Sequence, residues 1–387
     1  MEMRQFLQIP GPTNVPDRIL RSLSKPLINH RGPEFEKLMS ECINGVKKVL
    51  RTNNDILMFP SSGSGALESV IVNLFSEGDT IAAASFGVFS ERVAKIAENF
   101  GVNVIRISKA WGESARPEDI RKILEEDREQ KIKAICVPQN ETTTGVVSDI
   151  EGISKAIKES RHPALLVVDG VSSVACIPME TDLWGVDVLV SASQKGFMLP
   201  PGIGFVALNK RAWEYVEKST LPKWYWDYKA VKERMDTLQF PYTPATSILF
   251  GLKESVDILM EEGIENVWKR HAINAQAIRN GVEALGLNIL SSKEDASDTV
   301  TAINMPENIK YKELAELLRE KYGVVIGGGL GQLQGKIFRI GHLGSLHMAD
   351  VHAIMGAVEM ALYELGHKLE LGSVGKAVSE TYLGIRK

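Results

Sequence analysis

Ala164-Leu165-Leu166-Val167-Val168-Asp169, followed by Val186-Asp187-Val188-Leu189-Val190-Ser191-Ala192, decides the fold. Both runs are short, almost continuously apolar and rich in Val, Leu and Ala, the pattern of strands covered on both faces. Working outward, Thr80–Ala84, Ala134–Val137 and Gly204–Leu208 repeat it. Between the runs, Leu67, Val70, Ile71, Leu74 and Phe75 fall at helical spacing, as do Val93, Ile96, Ala97 and Phe100. Strand, helix, strand repeated from about residue 55 to residue 209 predicts an α/β unit: a mainly parallel sheet flanked by helices on both faces.

Beyond this unit the pattern changes. Ser247–Leu285 is helical in period throughout. Val300–Ile303 and Ile337–Ile340 then read as strands, and Lys312–Tyr322 and Asp350–Leu365 as helices, which predicts a smaller α+β C-terminal domain packed beside the first. Upstream, Ile9–Pro16 holds three prolines, a glycine and an asparagine, so the N-terminal segment is expected to be extended and turned. Two domains also suit 387 residues, too many for one simple core. The expected division is an extended segment over 1–20, a large α/β domain over 21–255 and a small α+β domain over 256–387.

Hydrophobic residues at 44% and charged residues at 24% are globular values. With 45 Lys and Arg against 49 Asp and Glu, the net charge of −4 leaves no electrostatic reason to bind nucleic acid or an acidic membrane. No apolar run approaches the roughly 18 residues of a spanning helix. Met1-Glu2-Met3-Arg4 leads into no signal-peptide core. Cys42, Cys136 and Cys176 form no CxxC and cannot all pair, so a reducing, cytoplasmic location is expected.

Three places inside the α/β unit carry chemistry. Pro60-Ser61-Ser62-Gly63-Ser64-Gly65-Ala66 directly precedes the amphipathic stretch beginning at Leu67. Glycines let the backbone turn, free N–H groups at a helix start bind an anion, and Ser62 and Ser64 add hydroxyls. A phosphate cradle and an ordinary Gly/Ser turn with a helix cap fit this stretch equally well. No third glycine follows at the dinucleotide spacing, and Gly331–Lys336 is one residue short of a Walker loop. The second place is Asp169, a carboxylate closing a buried strand, where open α/β sheets bind ligands. The third is Lys195, which ends Val190-Ser191-Ala192-Ser193-Gln194-Lys195-Gly196. A lysine there is either a plain surface strand end or a desolvated amine, of lowered pKa and nucleophilic toward a carbonyl. Cradle, buried acid and lysine, in that order along one parallel sheet, are what pyridoxal 5'-phosphate (PLP) requires.

At these residues the sequence resembles the class V aminotransferases of PLP fold type I, most closely the serine–pyruvate/alanine–glyoxylate branch. The resemblance runs from Pro10-Gly11-Pro12-Thr13 to Phe338-Arg339-Ile340-Gly341, through Ser62–Glu68, Phe86-Gly87-Val88-Phe89, Glu141-Thr142-Thr143-Thr144-Gly145, Val168-Asp169, Ser193-Gln194-Lys195-Gly196 and Thr243-Pro244-Ala245. It implies that Lys195 forms the Schiff base and, released by substrate, moves the Cα proton. Asp169 would pair with the pyridine nitrogen. Ser62, Gly63, Ser64 and Gln194 would hold the phosphate, with Thr243 arriving from the second subunit of a homodimer. Phe89 and Val171 would enclose the ring, and Thr142 would bond its hydroxyl. Arg339 would take the substrate carboxylate, for which a planar two-pronged donor is suited. Two departures from the family pattern stand out. Some relatives have Tyr where Phe240 stands, with Tyr242 nearby, and Ala245-Thr246 replaces a common Pro-Pro.

The implied reaction is ping-pong transfer of an amino group from a small L-amino acid, serine or alanine, to pyruvate or glyoxylate. Another class V PLP reaction is the alternative: cysteine desulfuration, a lyase, or an aminotransferase with a different donor. A desulfurase needs a mobile-loop cysteine in the C-terminal half, and all three cysteines precede residue 180. A non-catalytic binding protein on the same fold would have lost a central residue, yet Lys195, Asp169 and Arg339 are present. His342, His347 and His352 do not share a helical face and have no Cys or acidic partner pattern, so no metal is expected.

Overall fold

A computed structural model describes residues 5–386; Met1–Arg4, read above for a leader, and Lys387 lie outside the described residues. The chain opens with β1 (Phe6–Gln8), which belongs to a small sheet completed far downstream. Next come β2 (Asp55–Phe59), β3 (Thr80–Ser85), β4 (Asn103–Ser108) and β5 (Ile132–Pro138), then a short ribbon of β6 (Asn140–Glu141) and β7 (Val146–Val147). With β8 (Leu165–Asp169), β9 (Val188–Ala192) and β10 (Gly204–Leu208) they form a seven-stranded sheet in the order β2-β10-β9-β8-β5-β3-β4. Only β10 runs against its neighbours. The α/β expectation of a mainly parallel, helix-flanked sheet therefore holds.

The strands that sequence periodicity misses are informative. β4 is the sheet edge and most of its residues stay accessible, so Asn103–Ser108 never shows the continuous apolar run of a doubly covered strand. Ser247–Leu285 is two helices, Thr246–Glu262 and Ile264–Ala284, separated at Gly263. The segment expected to be extended over 1–20 turns helical at its end, beyond the Ile9–Pro16 stretch. The helix Asp17–Leu23 begins directly after Pro16, the last proline of that stretch.

The smaller sheet follows the order β1-β12-β13-β11, built from β11 (Val300–Asn304), β12 (Val324–Gly328) and β13 (Ile337–Gly341) with the N-terminal strand added in parallel. Two main apolar cores result among the described residues. One wraps the larger sheet and reaches Val267; the other begins at Ala277 and packs the small sheet against the helices Met348–Glu364 and Ser373–Tyr382. The helix Ile264–Ala284 spans both. Among the described residues no helix is long and apolar enough to cross a membrane.

Candidate active site

Parallel strands collect functional groups at their carboxyl ends. β8 ends at Asp169 itself, and β9 ends at Ala192 and leads straight into Gln194 and Lys195. β2 ends just before Ser62, β3 just before Phe89 and β5 just before Thr142. These strands point the same way, so residues more than a hundred positions apart arrive at one edge. Ser62, Gly63, Ser64, Phe89, Thr142, Asp169, Val171, Gln194 and Lys195 all line one cavity of about 200 Å³.

Lys195 lies partly buried there, its Nζ donating to the Pro10 carbonyl. Burial, and then the nearby Arg339 charge, bring its ammonium down to about 8 from 10.5, with Asp169 opposing. Burial pushes the Asp169 carboxyl up to about 6. The Val171 N–H, donating to Asp169 Oδ1 at 2.9 Å, holds it down, as do Arg92 and Lys195, while Glu141 raises it further. An acid and an amine thus line one cavity with their affinities for protons drawn together.

Arg339 occupies the middle of the small sheet, on β13 between β12 and β11, and is only 6% exposed. Its Nε donates to the Gly328 carbonyl at 2.8 Å and its Nη1 to the Thr142 carbonyl at 2.9 Å, so it abuts the cavity through the Thr142 backbone. The Thr142 hydroxyl donates to Ser172 Oγ at 2.8 Å. Thr243 is not in this cavity; it lines a separate concavity with Leu27, Ile28 and His30. Phe240 is buried edge-on against Phe35, and Tyr242 stacks on Trp224 and Tyr225, so neither lines the cavity of its own chain. His342 is fully buried, bonded to Thr301 Oγ1 at 3.0 Å.

A family model described as aminotransferase class-V matches residues 6–337. The chain belongs to the class V aminotransferases. It is 40% identical to serine–glyoxylate aminotransferase of Methylorubrum extorquens, over 98% of this chain and 96% of that protein. It is 39% identical to L-aspartate–glyoxylate aminotransferase of Paracoccus denitrificans, over 97% of this chain and 95% of that one. The crystal structure of pyridoxamine–pyruvate aminotransferase from Mesorhizobium loti superposes with a TM-score of 0.93 at 27% identity, covering 99% of this chain and 98% of that one. This class V enzyme is a PLP-dependent transaminase of PLP fold type I.

The pocket of the class V chain fits that cofactor. Phe89 and Val171 both line the cavity, which also holds a carboxylate, a lysine and a helix start. Ser62, the N-cap of the helix Gly63–Leu74, makes no side-chain capping bond, so its hydroxyl is free to donate to a phosphate. A Cβ on Gly63 would stand 2.6 Å from Val171 Cγ2, so a glycine is needed to let that wall close.

Sequence reasoning missed several residues of the site. Arg92, Asn140 and Ser172 line the cavity. Asn140 Nδ2 donates to Ser172 Oγ at 2.8 Å, and Ser172 is also the acceptor of the Thr142 hydroxyl. Glu141, fully buried, accepts from the Ser90 N–H at 2.6 Å and the Thr143 N–H at 2.8 Å, tying the Phe89 helix to the Thr142 turn. Arg92 had a usable signal: it stands three residues after Phe89 on the same helical face. Glu141 had none, because its role depends on a contact across 51 positions.

Proposed function

We propose that this pocket moves the amino group of L-serine or L-alanine to glyoxylate or pyruvate. The observation that carries the reading is Lys195, brought down to about 8 by burial and the Arg339 charge, lining one small cavity with Asp169. PLP supplies an electron sink for the carbanion formed when the substrate Cα–H breaks. Lys195 would hold the cofactor through its amine and, once freed, would carry the proton away from the substrate Cα. Asp169 keeps the pyridine nitrogen protonated. Ser62, Gly63, Ser64 and Gln194 hold the phosphate. Phe89 and Val171 enclose the ring, and Thr142 and Ser172 bond its hydroxyl. Arg339 fixes the substrate carboxylate so that Cα–H faces Lys195.

Aspartate is the rival donor, suggested by the name of one relative. A dicarboxylate needs a second cation at its distal end, and Arg92 is engaged with Ser64 instead. The desulfurase alternative fares worse: Cys42, Cys136 and Cys176 are all buried, and burial pushes their thiols up, Cys136 and Cys176 to about 12.

We also propose a homodimer with shared sites, in which Thr243 of the partner subunit completes the phosphate grip. Support comes from Thr243 lying outside its own cavity and from Leu27 and Trp224 near it, 72% and 74% exposed. Three unpaired buried cysteines suit the cytoplasm.

The test is the visible absorption of the PLP-loaded protein. L-Serine or L-alanine alone should bleach the band and glyoxylate should restore it. A band indifferent to both donors but bleached by L-aspartate would replace the donor, and a protein that never takes up PLP would overturn the site.

A further inference from the structure

Arg92 holds a position that none of these roles uses. It is the third residue of the helix Ser90–Asn99, which Glu141 anchors at its first N–H. The Arg92 guanidinium lies 4.6 Å over the Phe89 ring centroid, and Nη1 donates to Ser64 Oγ at 2.8 Å. Ser64 is the second residue of the helix Gly63–Leu74, within the stretch assigned above to the phosphate. Among the described residues, Arg92 and Lys195 are the cationic side chains lining the cavity.

We propose that Arg92 is the counter-charge of the cofactor phosphate, an ion-pairing residue of the cradle as well as a brace for Phe89. A phosphate monoester carries nearly two negative charges at neutral pH. The helix start offers about half a positive charge. Ser62, Gly63, Ser64 and Gln194 donate hydrogen bonds but bring no charge, and Lys195 is committed to the aldehyde carbon. A guanidinium matches phosphate oxygens with parallel N–H donors, and it stacks on aromatic faces while doing so. Arg92 has both partners in place: an aromatic face beneath it and the cradle hydroxyl at its tip. Ser64 brings only a short hydroxyl to the cradle, and Arg92 spans the remaining distance from the neighbouring helix. The same engagement removes Arg92 from the substrate side, leaving Arg339 as the carboxylate-binding arginine of the proposed reaction. The inference rests on the cavity being the cofactor site, as proposed above.

The experiment compares PLP with pyridoxal, which has the ring and aldehyde but no phosphate. Wild type, Arg92→Ala and Arg92→Lys, each stripped of cofactor, are titrated with both aldehydes and followed by visible absorption. For Arg92→Ala the PLP dissociation constant should rise about 10- to 100-fold, the range for losing a charge-assisted hydrogen bond. Pyridoxal affinity should stay near that of wild type. Arg92→Lys, which keeps the charge, should recover most of the PLP affinity and guards against misfolding of the alanine variant. Equal weakening toward both aldehydes would show that Arg92 only braces Phe89 and would overturn the proposal. Unchanged PLP binding with a raised KM for L-aspartate would overturn it too, making Arg92 a substrate residue. A wild-type protein that takes up neither aldehyde would defeat the site reading itself, a result distinct from either.

Discussion

Replacing Gly11 with alanine puts a methyl group into space the Lys195 side chain occupies. The added Cβ would stand 2.5 Å from Nζ and 2.6 Å from Cδ, where ordinary contact begins at 3.4 Å. The neighbouring Pro10 carbonyl accepts from the same amine, so the backbone has little freedom to retreat. The lysine head must therefore withdraw by about 1 Å, and a displacement of that size at a reacting group costs on the order of 10²-fold in rate. Gly11 also has φ +101°, a conformation in which alanine carries roughly 1–3 kcal/mol of strain. The expected result is a kcat for serine–glyoxylate transamination about 100-fold below wild type. The visible absorption of the Lys195-linked cofactor should be weakened or shifted. Unfolding in urea should show a loss within the strain range, which separates displaced chemistry from a collapsed fold. A variant with wild-type kcat and wild-type absorption refutes the reasoning, because it would mean that Lys195 acts from a position Gly11 does not shape.

Arg339→Lys keeps the charge but loses the planar fork that reaches Gly328 and Thr142. Its kcat/KM for the amino donor should fall about 10- to 100-fold while PLP affinity, measured by absorption titration, stays unchanged. Lys195 titrates at about 8 in the folded protein against 10.5 unperturbed, so between those values the folded state binds fewer protons than the unfolded one. The cofactor-free protein should therefore gain stability as pH rises through that window, and its rate of combining with PLP should climb to about pH 8 and level off; a rate flat from pH 6 to 9 would contradict the depressed amine. Cys42, Cys136 and Cys176 are buried with raised thiol pKa values, so an aromatic disulfide reagent at neutral pH should label none in the native enzyme and three in denaturant. Fast native labelling together with sulfur release from L-cysteine would restore the desulfurase reading.

The fold was legible where burial is two-sided and illegible where it is not. β5, β8, β9 and β10 are largely apolar because helices cover both faces, and apolar runs betray them. β4 escapes notice at the sheet edge. The site divides along a similar line. Ser62, Asp169 and Lys195 each directly follow or close a buried element, so their position at the sheet edge is written locally. Glu141 and Ser172 act through partners that lie 51 and 30 positions away, and nothing near them in sequence encodes those contacts; Arg92 reaches Ser64 across 28 positions, though its spacing from Phe89 is local. Thr243 shows a third limit: its sequence neighbourhood matches the family, yet a single chain leaves it facing Leu27 and His30, away from the cavity.

Lys195 answers to both sheets at once. β1 pairs with β12 of the small sheet, and only two residues further on the same segment supplies the Pro10 carbonyl to Lys195. Thr13 then donates its N–H to the Gln194 carbonyl at 3.2 Å, fastening the segment to the loop that carries the lysine. Arg339 sits on β13 of that same small sheet, so the proposed carboxylate grip and the strap that touches Lys195 are built on one sheet. The coupling is electrostatic as well. After burial, the Arg339 charge is the largest influence lowering the proton affinity of Lys195. Were a substrate carboxylate to pair with Arg339, as proposed, that influence would be neutralised and the proton affinity of Lys195 would rise. On the proposed roles, that rise would come where it is useful: more of the amine is unprotonated for attack on a carbonyl while its affinity is low, and it would take the Cα proton more readily once substrate had raised it.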